Sequence, residues 1–167
     1  MDGFIAHLLV FRDVDYIDIR PLNNYINGLN FIQSDATDLR GIEDGSIESI
    51  SCLHSLEHFG LGRYSDLIDP QGFVKVANSI QRVVKENGTL YLSVPIGNKD
   101  RTVFNAHRIF RPTTITNLFK QMRLIEFYVI EPEGCRVKSI PVDILEKEDI
   151  KEYSCGIFVF QKGIQGS

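Results

Sequence analysis

The stretch SIESISCLHSLEHFG (46–60), followed by an amphipathic segment and then by TLYLSVP (89–95), carries the main signal for the fold. Residues 46–54, which the turn pair Asp44-Gly45 introduces, predict a strand. From Asp69, the predicted N-cap, apolar residues recur every three or four positions, which predicts a helix that the pair Asn87-Gly88 ends. Strand 89–95 follows it. A strand, a crossover helix and a second strand predict a parallel pair.

The flanking segments extend this pattern in both directions. Helical crossovers between short apolar strands predict a mainly parallel, twisted α/β sheet with helices on both faces. No helix separates the last two strands, so we expect one of them to be antiparallel and to lie at an edge. The further predicted elements are a buried helix over 4–11 with Asp2 as a cap, strands over 14–19 and 29–34, a threonine-capped helix from Thr113, and strands over 124–132 and 155–163.

Length and composition predict one domain. The chain has 167 residues, of which 43% are hydrophobic and 24% charged, as in globular proteins. We expect a single domain over 1–165, with 166–167 as a vector remnant. The net charge of −4 provides no global basic field, so neither nucleic acid nor a membrane is an expected partner. The N-terminus lacks the features of a signal peptide, which indicates a cytoplasmic protein.

The spacing of the cysteine and histidine residues indicates which thiol and metal sites the chain can form. Cys52, Cys135 and Cys155 are odd in number and form no C-x-x-C pair, so we interpret them as reduced apolar residues. The run from His54 to His58 fits the H-x-x-E-H pattern of inverted zinc proteases, which offers a metallohydrolase as one alternative. That chemistry needs both histidines on one helical face, whereas a glycine-containing segment follows directly. We therefore expect no metal site.

Acidic residues stand at the carboxyl ends of two successive predicted strands. Asp18 lies at the end of the first, and Asp35 follows the second. Ligands of a parallel sheet bind at the carboxyl ends of its strands. An acid at the first position can accept hydrogen bonds from both ribose hydroxyls of a nucleotide, and an acid at the second can accept one from an adenine amino group. We expect both acids to open into one cleft with the turn 52–58.

Three stretches resemble the class I S-adenosylmethionine-dependent methyltransferases. They are YIDIRP (16–21), FIQSDATDLRGIEDGSIESISCLHSLEHFG (31–60) and GTLYLSVPIG (88–97). The resemblance covers residues 14–97 well and is strongest to a bacterial branch of methyltransferase-like proteins that share LHSLEHFGLGRY (53–64) and NAHR (105–108). It implies a Rossmann-like fold, S-adenosylmethionine as cofactor, and transferase activity that moves a methyl group to an oxygen or nitrogen acceptor.

The same resemblance assigns roles to residues at the strand ends. It implies that Asp18 binds the ribose of the cofactor and that Asp35 binds the adenine. The remaining residues that it implies for the adenine and methionine ends of the cofactor are Ala36, Cys52, Leu53 and His54.

The first strand and the Gly-rich loop of that superfamily have no counterpart in these residues. The chain begins in what should be the following helix, and its one later G-x-G, at 60–62, does not follow a strand. We therefore expect an N-terminally truncated copy of the fold that binds S-adenosylmethionine weakly or not at all. Without a central strand, the flanking strands close up directly or the chain forms a homodimer. A non-catalytic scaffold or partner subunit is the alternative function.

The loop 98–112 supplies candidate acceptor-site residues. In a methyltransferase this region approaches the acceptor, for which we expect a small molecule or a saccharide. His107 and, from the preceding turn, His54 are the candidate general bases, because imidazole titrates near neutral pH. A solvated loop whose arginines pair with the excess of acids is the alternative. The candidate acceptor-binding residues are Glu57, His58, Arg101, His107 and Arg108.

Overall fold

The computed structural model describes residues 3–23, 26–62, 68–133, 137–141 and 149–163. All six strands predicted from the sequence are present, and the short strands β5, β6 and β8 are additional. The elements in chain order are α1 (Gly3–Leu8), β1 (Val14–Asp18), β2 (Leu29–Gln33), β3 (Ile47–Leu53), a 3-10 turn (Leu56–His58), α2 (Gly72–Val83), β4 (Val84–Ile96), β5 (Arg101–Thr102), β6 (Arg108–Ile109), α3 (Pro112–Leu118), β7 (Met122–Ile130), β8 (Val137–Ser139) and β9 (Ser154–Lys162).

The strands form a Rossmann-like α/β arrangement with a mixed larger sheet. β1 pairs with β2 in parallel, and β3 pairs with β4 in parallel, as predicted. The larger sheet has the order β3-β4-β9-β7-β8, so β3, β4 and β7 point one way. The antiparallel strand β9 lies inside this sheet, and its expected place at an edge is wrong. In this interior position the rings of Phe158 and Phe160 are almost completely buried, as is usual for phenylalanine in a core.

β1 and β3 are the terminal strands of two separate sheets. No ladder joins them among the described residues, so the expected direct closure of the flanking strands does not occur there. The small β1–β2 sheet is instead attached through the segment after β2. Ser79 Oγ of α2 donates a hydrogen bond to the carbonyl oxygen of Ala36 at 2.5 Å. Arg82 Nη2, also from α2, donates to the carbonyl oxygen of Asp38 at 2.8 Å.

One face of the larger sheet carries the hydrophobic core. Alternate residues of β4 point to α2 and α3, and Leu90 and Leu92 are fully buried there. Rings from β7 and β9 continue this layer, with the centroids of Phe127 and Phe158 4.5 Å apart. On the opposite face, Tyr91 is 43% exposed and Leu53 is 38% exposed. The side chains that face the two longer helices are therefore much better packed than those on the opposite face.

The ends of α2 differ from the predicted ones for local reasons. Asp69 does not cap the helix: its Oδ1 accepts a hydrogen bond from the Gln71 backbone N at 2.9 Å, which closes a turn just before it. At the other end, the helix stops at Val83 and β4 begins at once. Asn87, with φ 61°, lies in an irregular stretch of β4 where the register against β3 shifts. The Asn-Gly signal therefore marks a bulge and not a helix end.

The two shorter helices also depart from their predictions. α1 spans six residues and has none that is buried, so the expected buried helix over 4–11 is wrong; the predicted cap Asp2 lies outside the described residues. α3 begins at Pro112 with Arg111 at the N-cap. A distant carboxylate replaces the predicted threonine cap, because Asp100 Oδ1 accepts a hydrogen bond from the Arg111 backbone N at 2.8 Å. Within the described ranges, no helix is long and apolar enough to span a membrane.

Candidate active site

Asp18 lies at the carboxyl end of β1 with its carboxylate already engaged. Arg20 donates to it from Nε at 3.0 Å and from Nη2 at 2.7 Å, and Tyr16 adds a hydroxyl at 3.3 Å. The hydrogen bond from the Arg20 side chain lowers the pKa of Asp18, against an opposing effect of burial. Asp18 is therefore ionised at neutral pH, as a ribose-binding acid must be, but a ligand has to compete with Arg20 for it.

Asp35 follows β2 at the carboxyl end of the β1–β2 sheet, the same end at which Asp18 lies. The register places Asp18 opposite Gln33, and the Ser34 backbone N donates to the Asp18 carbonyl oxygen at 3.2 Å. Asp35 itself is exposed, and its Oδ1 accepts a hydrogen bond from the Thr37 backbone N at 2.8 Å. This Asx turn leaves Asp35 Oδ2 with no protein partner among the described residues. The two acids that the sequence places at successive strand ends therefore follow neighbouring strands at the same end of the β1–β2 sheet.

Cys52 and Leu53 end β3 and point to opposite faces of the sheet. Cys52 packs against the hydrophobic core, and burial raises the pKa of its thiol to about 12. A thiol in this state is neutral and inert, which agrees with the sequence-based view of Cys52 as a small apolar residue. Leu53 lies on the open face, so of the two only Leu53 presents its side chain to a ligand there.

His54 links the ends of three strands. Its backbone, at φ 48°, donates from N to the Ser93 carbonyl oxygen at 2.9 Å. Its ring nitrogens reach two further groups: Nδ1 lies 3.3 Å from Glu57 Oε1, and Nε2 lies 3.3 Å from Cys155 Sγ. These contacts, the one to Cys155 first, raise the pKa of His54 to about 10. A raised pKa favours the imidazolium form of His54 and weighs against a general base here, but the role of His54 as the base for an acceptor stays a prediction.

Glu57 and Arg108, predicted to bind an acceptor, are buried. Glu57 is 2% exposed and Arg108 is 8% exposed. Arg108 Nη1 donates to the carbonyl oxygen of Phe59 at 2.7 Å, and its guanidinium lies 4.8 Å from the ring centroid of Phe73. Both charged groups hold the 56–59 turn in place. Direct acceptor contact by these two residues stays a prediction, and their burial leaves little side-chain surface for it.

His58, His107 and Tyr153 form a cluster of rings beside this turn. The ring centroids of His58 and His107 are 6.0 Å apart, and those of His107 and Tyr153 are 5.9 Å apart. Arg101 lies over the Tyr153 ring and forms an ion pair with Glu152 at 2.7 Å. The loop after β4 and the start of β9 therefore meet next to His54, and the charge of Arg101 is already balanced.

The H-x-x-E-H motif does not form a helical metal site. Residues 56–58 are a single 3-10 turn, and Glu57 Oε1 faces both imidazoles, 3.3 Å from His54 Nδ1 and 3.9 Å from His58 Nε2. In the part of the chain that the structure describes, no group of three or more histidine, cysteine, aspartate or glutamate side chains is placed to hold a metal ion.

Sequence reasoning missed Cys155, Tyr153 and Glu152. Glu152 and Tyr153 come just before β9, and Cys155 is its second residue. In the sequence, Cys155 is 101 residues away from His54. Strand periodicity gives these residues no distinguishing signal, and only the antiparallel pairing of β9 with β4 brings them to the end of β3. Conversely, no hydrogen bond or ion pair of Asp18 or Asp35 reaches the 54–58 turn within the described ranges, so the single cleft joining them stays a prediction.

Comparisons with solved structures identify the fold. A Burkholderia thailandensis 1,6-didemethyltoxoflavin-N1-methyltransferase, crystallised with S-adenosylhomocysteine, matches with a TM-score of 0.63 and 11% identity over 90% of this chain, which spans only 61% of that protein. A Methanosarcina mazei S-adenosylmethionine-dependent methyltransferase matches with a TM-score of 0.60 and 16% identity, over 92% of this chain and 83% of that one. The Bradyrhizobium japonicum N-methyltransferase NodS, also with S-adenosylhomocysteine, gives 0.53 and 11%, over 90% and 66%.

These likenesses show the fold of class I methyltransferases, as the sequence resemblance implies. At such identities they carry no further statement about activity. No curated protein matches the sequence significantly. One family model does match, over residues 25–162, which is most of the chain. The protein therefore belongs to the family described as "Caenorhabditis protein of unknown function, DUF268".

Proposed function

We propose that this protein binds the adenosine part of S-adenosylmethionine at the Asp18–Asp35 edge and transfers its methyl group to an oxygen or nitrogen of a small acceptor. One observation carries the proposal: an acid stands at or just after the carboxyl end of each of two adjacent parallel strands, where such folds bind ligands. An ionised Asp18 suits the two ribose hydroxyls. The exposed Asp35, whose Oδ1 takes part in an Asx turn, suits the adenine amino group.

The affinity of these 167 residues for the cofactor is expected to be weak. A methionine moiety needs close approach by backbone N–H groups, which a Gly-rich loop provides in Rossmann-like sites. The one G-x-G of the chain cannot serve, because a Cβ at Gly60 would lie 1.9 Å from the carbonyl oxygen of Asp69. That glycine is used for a tight turn. The ligand must also displace Arg20 from Asp18, and we expect a dissociation constant weaker than micromolar.

The acceptor side of the proposal rests on His107. The cofactor, when bound, would supply a methyl group on a sulfonium. The protein then has to position the acceptor and take its proton. The contacts of His54 favour its protonated form, whereas His107 lies between the His58 and Tyr153 rings at the same end of the sheet. We assign the proton acceptor to His107 and acceptor contacts to the partly exposed His58 and Arg101.

Ligand-observed NMR with S-adenosylhomocysteine, titrated to millimolar concentration, tests the binding step. Weak, saturable binding is expected, with a loss of about 10-fold or more in Asp18→Asn and in Asp35→Asn, because each removes a hydrogen bond to a charged group. Asp15→Asn is the matched control, since Asp15 is an exposed acid of the same strand that bonds to Asn30. Micromolar affinity would overturn the expectation of weak binding.

A non-catalytic scaffold is the second candidate. The observation that favours it is the complete engagement of the Asp18 carboxylate, both oxygens of which accept hydrogen bonds from Arg20. Under this alternative, neither the wild type nor Arg20→Ala binds the nucleoside at millimolar concentration. If Arg20→Ala binds more tightly than the wild type, Arg20 competes with the ligand and the cofactor proposal is supported.

A further inference from the structure

Cys155, His54 and Glu57 form a linear array of hydrogen-bonding groups that the methyl-transfer proposal does not use. Cys155 Sγ lies 3.3 Å from His54 Nε2, and His54 Nδ1 lies 3.3 Å from Glu57 Oε1. A thiol, an imidazole and a carboxylate in this order are the nucleophile, base and orienting group of covalent catalysis. We propose that Cys155 is a nucleophilic thiolate, activated by His54 and Glu57, that accepts an acyl group from an ester or thioester.

The three groups are held by rigid parts of the fold. Cys155 is the second residue of β9 and pairs with Pro95 on one side and Ile130 on the other. His54 follows β3, and its backbone N donates to both the carbonyl and the hydroxyl oxygen of Ser93 at 2.9 and 3.2 Å. Its φ of 48° is unusual for a residue with a side chain, and such strain is concentrated at functional sites. The array is therefore preorganised.

Burial strengthens the electrostatic link between the carboxylate and the imidazole. Glu57 is 2% exposed, and its Oε2 has no hydrogen-bond partner within the described part of the chain. Its Oε1 lies 3.3 Å from His54 Nδ1 and 3.9 Å from His58 Nε2. A charge in this environment is screened weakly and favours an imidazolium. An imidazolium in turn favours the thiolate at Cys155. The raised pKa of His54 agrees with an ion pair of this kind.

Other charged groups surround the array without replacing its members. The guanidinium of Arg108, from β6, bonds to the Glu57 carbonyl oxygen at 3.4 Å. Glu152 stands three residues before Cys155 and is balanced by Arg101. The ring of His107 contacts the neighbouring His58, and the ring of Tyr153 contacts His107. The side chain of His54 is 53% exposed and Cys155 is half-buried, so an electrophile can approach from solvent.

The reaction needs no reactant besides the ester or thioester and water. Sγ of Cys155 attacks the carbonyl carbon, a carbon–sulfur bond forms, and the bond to the alcohol or thiol breaks. The leaving group takes the proton from Nε2 of His54. Water then attacks the acyl-cysteine while His54 accepts a proton from it, and the acid departs with the thiolate–imidazolium pair restored. This chemistry needs no cofactor, so it can hold or fail independently of the methyl-transfer proposal.

The test uses a Cys52→Ala, Cys135→Ala background in which Cys155 is the one remaining thiol. Iodoacetamide alkylation is followed against pH, and acetylation by 4-nitrophenyl acetate is located by mass spectrometry. We expect alkylation at pH 6 to be about 10-fold faster than in the same background with His54→Gln, because an ordinary thiol is almost fully protonated there. Glu57→Gln should give an intermediate rate, and His7→Gln, which changes a histidine of α1, should match the background.

The absorbance of a thiolate near 240 nm, titrated in the folded background protein, provides a second measurement that does not depend on variants. It should report ionisation well below pH 8.5. Circular dichroism establishes that each variant is folded. An alkylation profile with a midpoint near pH 8.5 that His54→Gln leaves unchanged would overturn the proposal. Absence of an acetyl group on Cys155 after reaction with 4-nitrophenyl acetate would overturn the acyl-transfer step.

Discussion

The two-stranded sheet and the five-stranded sheet of this chain are stabilised in different ways. In β4 of the larger sheet, Leu90, Leu92, Val94 and Ile96 are all fully buried against helices and neighbouring strands. In the smaller sheet, β1 contains no buried residue and β2 contains one, Leu29. The acids proposed to bind the cofactor lie on the loosely packed sheet, and the Cys155–His54 array lies on the tightly packed one. Binding and covalent chemistry should therefore respond differently to destabilisation.

The largest effect that tests this difference is expected for Phe158→Ala. Phe158 is fully buried in β9 and stacks against Phe127 and Phe160, so its loss should lower the free energy of unfolding by about 3–5 kcal/mol. The matched variant Phe31→Ala, in β2, removes a half-buried ring and should cost less than half as much. Urea unfolding followed by circular dichroism measures both. Equal losses would show that the two sheets are equally well packed.

Gly60→Ala tests whether the tight packing of the five-stranded sheet extends to the turns beside it. Gly60 has φ 76°, and a Cβ there would meet the Asp69 carbonyl oxygen at 1.9 Å. Because backbone and not a flexible side chain blocks the space, we expect a loss of about 2–3 kcal/mol in the free energy of unfolding. Gly41→Ala, at φ 88° with open space around it, carries the conformational cost alone and is the control. A loss no larger than that of the control would contradict the steric argument.

Arg82→Ala should weaken the attachment of the small β1–β2 sheet to α2. The Arg82 guanidinium of α2 donates to the carbonyl oxygens of Asp38, Leu39 and Ile42, in the segment that follows β2. Losing these bonds should favour local opening by about 1–2 kcal/mol, so the amides of β2 should exchange about 5- to 30-fold faster. The amides of β4 and β9 should be unaffected, as should all amides in Arg40→Ala, whose side chain is 90% exposed. Amide exchange that is accelerated equally throughout the chain would mean that the two sheets open together.

The smallest effect concerns the pH dependence that Asp18 adds to the small sheet. Its pKa is lowered in the folded state, so its stabilisation is present above the unfolded carboxyl value near 3.9 and is lost as the pH falls through the folded value. Arg20 is 57% exposed, and we therefore expect less than about 1 kcal/mol. The difference in unfolding free energy between wild type and Asp18→Asn should shrink between pH 6 and pH 3. Arg20→Gln should reduce it likewise, and a difference that grows on acidification would contradict the assignment.

Local chemistry explains which site features were predictable. Asp18 and Asp35 follow strands whose apolar runs are visible in the sequence, and parallel pairing brings them to one edge. The errors concern tertiary caps and burial. The side chain of Asp100, eleven residues earlier, caps α3 at Arg111, and Glu57 is buried although acids usually stay exposed. Neither follows from residue type or spacing, because each depends on a group brought close by folding.

The six longer strands, the α/β class of the fold and the acids at two strand ends are predictable from short segments, because strand propensity and periodicity are local. The Rossmann-like assignment follows from the resemblance to methyltransferases. The position of β9 inside the larger sheet and the separation of β1 from β3 into two sheets follow only from the three-dimensional packing. It alone places Cys155 against His54 across 101 residues. The reason is that strand order and side-chain contact are set by the packing of distant segments, in which the buried rings of β9 outweigh any local preference.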